Sequence, residues 1–286
     1  VVVFFLLQKC YNIKSMFDEF LHKNLRVPYR LNFETFRKVK NPRAVVIFLH
    51  GIASSRESWR TASGLIDGNV NIYAVDLLGH GNSPKPSWGG AQSLEAQARA
   101  LGRTMIHLKK MKKPVFLVGH SMGSLISAEF AQKYPRLADK IFLISPPIYS
   151  KEDEESGIQE KILQKGYEAI IKNPEKSLDF INGVIQTGAV KVEKIENQEQ
   201  FRPIRRALKE AIVQQNTFET LSKIQTPTQI FYGAFDPVVI GRNIRKLGRI
   251  NPQISTSRVL ASHDPTAEII KRISKTINNS TKEENV

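Results

Sequence analysis

The pentapeptide Gly119, His120, Ser121, Met122, Gly123 follows the apolar run Val115 to Val118 directly and precedes a stretch of helical apolar spacing. A Gly-x-Ser-x-Gly turn between a strand and a helix is so tight that the central serine takes a strained backbone and lifts its hydroxyl above the sheet. Glycine is needed two residues to either side because a Cβ there would collide with the adjoining helix or strand. The pattern confines this part of the chain to strand, sharp turn and helix, and it marks Ser121 as a candidate nucleophile.

The rest of the chain repeats that alternation. Short β-branched runs bounded by turn residues recur at Val45 to Leu49, Val70 to Val75, Val115 to Val118, Ile141 to Ile144, Gln229 to Tyr232 and Ser257 to Leu260. Runs of this kind are typical of strands buried on both faces. Between them, Leu94, Ala98, Leu101, Met105 and Leu108 share one helix face behind a Ser93 cap, while Met122, Leu125, Ile126 and Phe130 line a helix that Pro135 stops. The reading is α/β: a mostly parallel central sheet with helices on both faces. A pair of strands near Tyr29 to Phe36 is expected to add an antiparallel edge.

The alternation breaks between about Ser150 and Gln225. That segment opens on the acidic run Glu152, Asp153, Glu154, Glu155 and carries helical stretches near Gln159 to Ile171, Glu175 to Ile185 and Ile204 to Gln215. A helical insertion after a strand end belongs on the face of the sheet where ligands bind, so it is expected to lie over Ser121 as a lid. The division read from the sequence is an amino-terminal segment 1–25, a core formed by 26–149 and 226–286, and a helical cap 150–225.

With 286 residues, 41% of them hydrophobic, the chain suits one large domain carrying an insertion. The single cysteine, Cys10, excludes an internal disulfide framework, and no Cys/His cluster has zinc-ligand spacing. A formal net charge of +15 would concentrate polyanions. The densest cluster, Lys109, Lys110, Lys112 and Lys113, has no interleaved aromatic residues for base stacking, which argues against nucleic acid as a partner. Loose attraction to acidic lipid headgroups remains as the membrane reading. The opening run Val1 to Leu7 is too short to span a bilayer and is read as the tail of a signal sequence or of an anchor. The location expected is cytoplasmic, or membrane-tethered if that run ends an anchor, and the assembly a monomer or dimer.

Serine at its free pKa is a poor nucleophile, so Ser121 needs a histidine base and the histidine needs an orienting carboxylate. Asp236 closes the run Phe231 to Asp236, and His263 follows the last strand-like run. The order Ser, Asp, His and the position of all three after strand ends put them on one edge of the sheet. His80 competes by loop position, but a histidine in such a loop more often holds structure through hydrogen bonds. Asp264 and Pro265 are read as the cap and first turn of the terminal helix. Cleaving an ester or amide develops charge on the carbonyl oxygen, to be met by fixed donors. The backbone N–H groups of Met122 and of Ile52, in the loop after the Val45 to Leu49 strand, are the two nominated.

Together His50-Gly51, the D-x-x-G-x-G-x-S run from Asp76 to Ser83, the elbow, the G-x-x-D of Gly233 to Asp236 and the late His263 resemble the α/β-hydrolase superfamily over about residues 30 to 275. The helical segment after Ser145, Pro146 and Pro147 resembles that superfamily's cap. The resemblance implies a cofactor-free serine hydrolase with an acyl-enzyme intermediate. Serine rather than aspartate at the elbow sets the chain apart from the epoxide hydrolases and haloalkane dehalogenases that share the fold. The expected substrate is a small or medium apolar acyl ester, with Phe180, Ile181, Val184 and Ile185 offering an apolar cap stripe. The alternatives are a carbon-carbon hydrolase using Arg205 or Arg206 to hold a carboxylate, and a non-catalytic membrane-tethered binding protein.

Overall fold

The computed structural model describes residues 15–106, 112–150, 157–186 and 194–283. Val1 to Leu7, Cys10, Leu108 to Lys110 and the acidic run 152–155 lie outside the described residues. So do the side chains of Phe180, Val184 and Ile185, which leaves half-buried Ile181 from the apolar cap stripe.

Seven strands form one sheet: β1 (Phe33–Arg37), β2 (Ala44–Leu49), β3 (Val70–Val75), β4 (Val115–His120), β5 (Lys140–Ile144), β6 (Thr228–Gly233) and β7 (Ile254–Val259). Their order is β1-β3-β2-β4-β5-β6-β7, with β1 antiparallel to β3 and every other pair parallel. The alternation of side chains along each strand divides the core in two. Val45, Ile47, Leu117 and Leu143 pack on one face with Leu101 and Ile126; Val46, Phe48, Phe116 and Phe142 pack on the other with Trp59 and Ile273.

Helices α1 (Leu94–Met105) and α2 (Met122–Lys133) cover the first face, and the terminal helix α8 (Ala267–Glu283) covers the second. Ser93 caps α1 by accepting the Ala96 N–H over 3.3 Å, and α2 ends at Lys133, two residues before Pro135.

Three expectations are corrected. The edge near Tyr29 to Phe36 holds one strand, not a pair. Pro28 stands directly before the segment, and the Leu31 and Asn32 N–H groups donate to the hydroxyls of Thr104 and Ser83 instead of a strand ladder. The last strand begins at Ile254, three residues before the apolar run, because Ser255 and Thr256 are exposed on a strand paired on one side only. The α8 cap is Thr266, whose hydroxyl accepts the Ile269 N–H over 3.4 Å, rather than Asp264.

Between β5 and β6 the described chain is helical: α3 (Ile158–Lys172), α4 (Pro174–Gln186), α5 (Gln198–Ala207), a π-helical continuation (Leu208–Val213) and α6 (Thr217–Ser222). Helix α5 starts six residues ahead of the apolar pattern, because the Asn197 side chain accepts the Glu199 and Gln200 N–H groups and outweighs Pro203 inside the helix. Helix α7 (Gly241–Ile250) separates β6 from β7.

Polar contacts join this helical segment to the core loops and to α7. Glu160, fully buried, accepts from the Ser150 N–H (2.7 Å) and the Asn243 amide (3.1 Å). Glu210 accepts from the Gly90 and Gln92 N–H groups at 2.9 and 2.8 Å. Gln159 donates to the Pro237 carbonyl over 3.1 Å, one residue after Asp236.

Candidate active site

The elbow is built as its glycines require. Ser121 has φ 51° and ψ −119°, in the left-handed region that a residue with a Cβ rarely occupies. Its N–H donates to the Ile144 carbonyl over 2.9 Å, tying the turn to the neighbouring strand. A Cβ on Gly119 would stand 2.4 Å from the Gly123 carbonyl oxygen, and one on Gly123 would stand 2.4 Å from the Leu49 carbonyl oxygen. Both obstacles are backbone, so neither can step aside.

Asp236 and His263 meet at this end of the sheet, each one loop beyond its strand. The His263 Nδ1 lies 2.9 Å from the Asp236 Oδ2. A carboxylate only accepts, so Nδ1 carries the proton and the lone pair of the neutral ring is on Nε2. Asp236 Oδ1 accepts the Val238 and Val239 N–H groups at 3.0 and 3.3 Å, so the carboxylate also shapes its own turn. Burial alone would raise the Asp236 carboxyl; the hydrogen bond and charge of His263, the Val238 N–H and the Ser145 hydroxyl outweigh it and hold the group below the ordinary range. Asp236 is thus held as a carboxylate.

Ser121 makes no hydrogen bond to His263 among the described residues; the link between them runs through His120. The His120 Nε2 donates to the His263 carbonyl over 3.0 Å, and the two rings lie 5.1 Å apart. His120 thus ties the elbow to the backbone of the loop that carries His263. In unliganded sites the bond from nucleophile to base is commonly long and closes with substrate.

The two nominated donors flank the serine. Met122 opens α2, so its N–H is among the first of the helix that lack an acceptor one turn back. Ile52 follows Gly51, where a Cβ would stand 3.3 Å from the Ser121 Cβ. The next residue, Ala53, has φ 56° and donates its N–H to the His80 Nε2 over 3.2 Å. His80 in turn donates from Nδ1 to the Leu78 carbonyl. The competing histidine is therefore a prop for the loop that carries Ile52. His50 has the same pattern, donating to the Gly51 carbonyl and accepting the Leu77 N–H. Burial first, and neighbouring rings for His50 and His120, push these bases down: His50 and His120 to about 3, His80 to about 4.

Sequence reasoning missed three neighbours of the acid. Ser145 is buried with φ 50° just past β5, and its hydroxyl helps to lower Asp236. The Tyr149 and Tyr167 hydroxyls are 3.2 Å apart; burial first, and the Asp236 charge among lesser causes, push both phenols up. A polar residue at a strand's carboxyl end was the available signal for Ser145, whereas no local pattern announces a tyrosine pair formed between cap and core. Arg205 donates to the Ile171 carbonyl and ties α5 to α3 within the helical segment, whereas Arg206 donates to the carbonyls of Pro86 and Trp88 and joins that segment to the core.

The family described as serine aminopeptidase, S33 matches residues 40–260. The chain is 34% identical over 110 residues to the Arabidopsis thaliana protein named "Probable lysophospholipase BODYGUARD 1", covering 37% of this chain and 23% of that one. It is 23% identical over 221 residues to the Homo sapiens monoacylglycerol lipase ABHD6, covering 72% of this chain and 65% of that protein. It thus spans about a quarter of the plant relative and under two thirds of the human one. Among solved structures, a hydrolase from Oleispira antarctica superposes with a TM-score of 0.68 at 18% identity, covering 89% of this chain and 95% of that chain.

Proposed function

The chain belongs to the α/β-hydrolases of the serine aminopeptidase, S33 family, and from that premise we propose that it hydrolyses carboxylic esters through an acyl-enzyme on Ser121. The observation that carries the reading is the 2.9 Å bond between His263 and Asp236 beside a serine held at φ 51°. The names of the relatives, a monoacylglycerol lipase and a probable lysophospholipase, support an acyl ester as the substrate class.

In this proposal the His263 Nε2 takes the Ser121 proton as Oγ attacks the ester carbon. The carbonyl oxygen, now an anion, lies between the Ile52 and Met122 N–H groups. Collapse expels the alcohol, which receives the proton from His263. Water, activated by the same base, then attacks the acyl-serine and releases the acid with Ser121 restored. Asp236 keeps the imidazole in the required tautomer throughout and stabilises the imidazolium that forms. Residues 150–225 act as the cap that selects which ester reaches the serine. No helix among the described residues is long and apolar enough to cross a membrane, and the +15 charge suits a peripheral encounter with acidic lipid surfaces.

Labelling with a fluorophosphonate probe, combined with p-nitrophenyl butyrate hydrolysis, tests the reading. The folded protein should form an adduct on Ser121, and Ser121→Ala should lose both adduct and turnover by at least about 10³-fold. Turnover that survives the substitution, or no adduct on the folded chain, would refute it.

A further inference from the structure

A cavity of about 510 Å³ lies in the seam between the cap and the loops beside the elbow, within the range of about 300–1,000 Å³ usual for small-molecule sites. Its core wall includes Ala53, His80 and Lys85, and its cap wall includes Lys194, Glu199 and Ile204. None of Ser121, Asp236 and His263 lines it. It is nonetheless adjacent to the nucleophile. Gly51 packs on Ser121, and Ala53, two residues on, is at most about 7.6 Å of chain away. Ile52, the nominated oxyanion donor, stands between them. A substrate whose carbonyl oxygen meets the Ile52 N–H has this cavity within reach of one of its ends.

The charges around the cavity are unbalanced. Neither Lys85 nor Lys194 has an ion-pair partner among the described residues, and Glu199 is the one carboxylate in the lining. His80 accepts a backbone N–H on Nε2 and therefore contributes no charge. Two exposed lysines, Lys85 from the core and Lys194 from the cap, thus share the lining with one carboxylate. A group bearing two or more anionic oxygens placed between them meets a cation on each side.

We propose that this cavity is an anion subsite, in which Lys85 and Lys194 hold a phosphate or carboxylate carried at the non-reacting end of the ester substrate. The inference rests on the ester-hydrolase reading of Ser121 and narrows its substrate class to anionic esters. It also gives the cap a means of sensing substrate, because the bound anion bridges cap and core.

The test compares three substrates on the full chain: p-nitrophenyl butyrate, mono-p-nitrophenyl glutarate and a short-chain acylglycerol phosphate. These are respectively neutral, carboxylate-bearing on the acyl side and phosphate-bearing on the alcohol side. In the Lys85→Gln/Lys194→Gln double variant, kcat/KM for at least one anionic ester should fall at least tenfold more than kcat/KM for the butyrate, mainly through KM. Glu199→Gln should shift the same ratio in the opposite direction. Which anionic ester responds identifies the group and the end that carries it. Equal losses on all three substrates, or no loss on either anionic ester, would overturn the subsite while leaving the serine chemistry in place. No turnover of any ester, together with no fluorophosphonate adduct, would instead overturn the ester-hydrolase reading on which the subsite rests.

Discussion

His263 donates from Nδ1 to the Oδ2 of Asp236 over 2.9 Å, joining two loops 27 residues apart in the chain. The bond fixes the tautomer, and with it the nitrogen that is free to act as base. In Asp236→Asn the side chain offers an amide in place of one carboxylate oxygen, and the ring can take the opposite tautomer. We expect kcat on p-nitrophenyl butyrate to fall by about 10³- to 10⁴-fold with little change in KM. Circular dichroism should stay native, since the Val238 and Val239 N–H groups can still be accepted by the Asn oxygen.

The elbow should tolerate no added atom at Gly123. The new Cβ of Gly123→Ala would stand 2.4 Å from the Leu49 carbonyl oxygen, inside a strand paired on both sides. A loss of at least about 3 kcal/mol is expected, visible as a lower urea midpoint or as insoluble protein. Gly51→Ala, whose nearest obstacles are the His120 and Ser121 side chains at 3.2 and 3.3 Å, should cost less stability and more activity.

His80 should matter to turnover without touching substrate chemistry. His80→Phe leaves the Ala53 N–H without its acceptor and frees the loop that carries Ile52. Stability should drop by about 1–3 kcal/mol. The kcat should drop more than tenfold while KM moves little, because only transition-state stabilisation is weakened. His80→Gln retains an acceptor, and partial recovery of kcat is the result that separates this role from simple packing.

Acid should destabilise the fold through its buried histidines. His50, His80 and His120 are depressed in the folded chain to about 3, 4 and 3, against about 6.5 for an ordinary histidine. Between those limits the unfolded chain binds more protons than the folded one, so stability is complete above about pH 6.5 and falls as pH drops toward 4. Asp236, also depressed, adds its loss at the acid end of that range. Urea midpoints measured from pH 7.5 to 4.5 should decline steadily. A flat profile would mean that these rings take up protons in the fold as readily as in the unfolded chain.

Glu160 should seat the cap. Glu160→Ala removes the acceptor of the Ser150 N–H and of the Asn243 amide at the base of α3. Hydrogen exchange within residues 158–172 should quicken, while exchange in β4 and β5 stays slow.

The sequence by itself determined the parallel strands of the sheet, the elbow and the order in which Ser121, Asp236 and His263 follow strand ends. Those features depend on neighbours along the chain: a buried strand needs an unbroken apolar run, this tight turn needs a glycine two residues to either side of its serine, and a strand end places a loop. The longer helices were legible for the same reason, apart from the start of α5, which lay in one Asn197 cap before an internal proline, while α6 and α7 were not read from the sequence.

Tertiary structure decided what depends on partners far away in sequence. Whether Tyr29 to Phe36 made one strand or two turned on the distant hydroxyls of Thr104 and Ser83, and the role of His80 turned on an N–H 27 residues earlier. The seam cavity with its two lysines exists only because cap and core are brought together. Hydrophobic periodicity records which face of an element is buried, but it carries no record of what that face will meet.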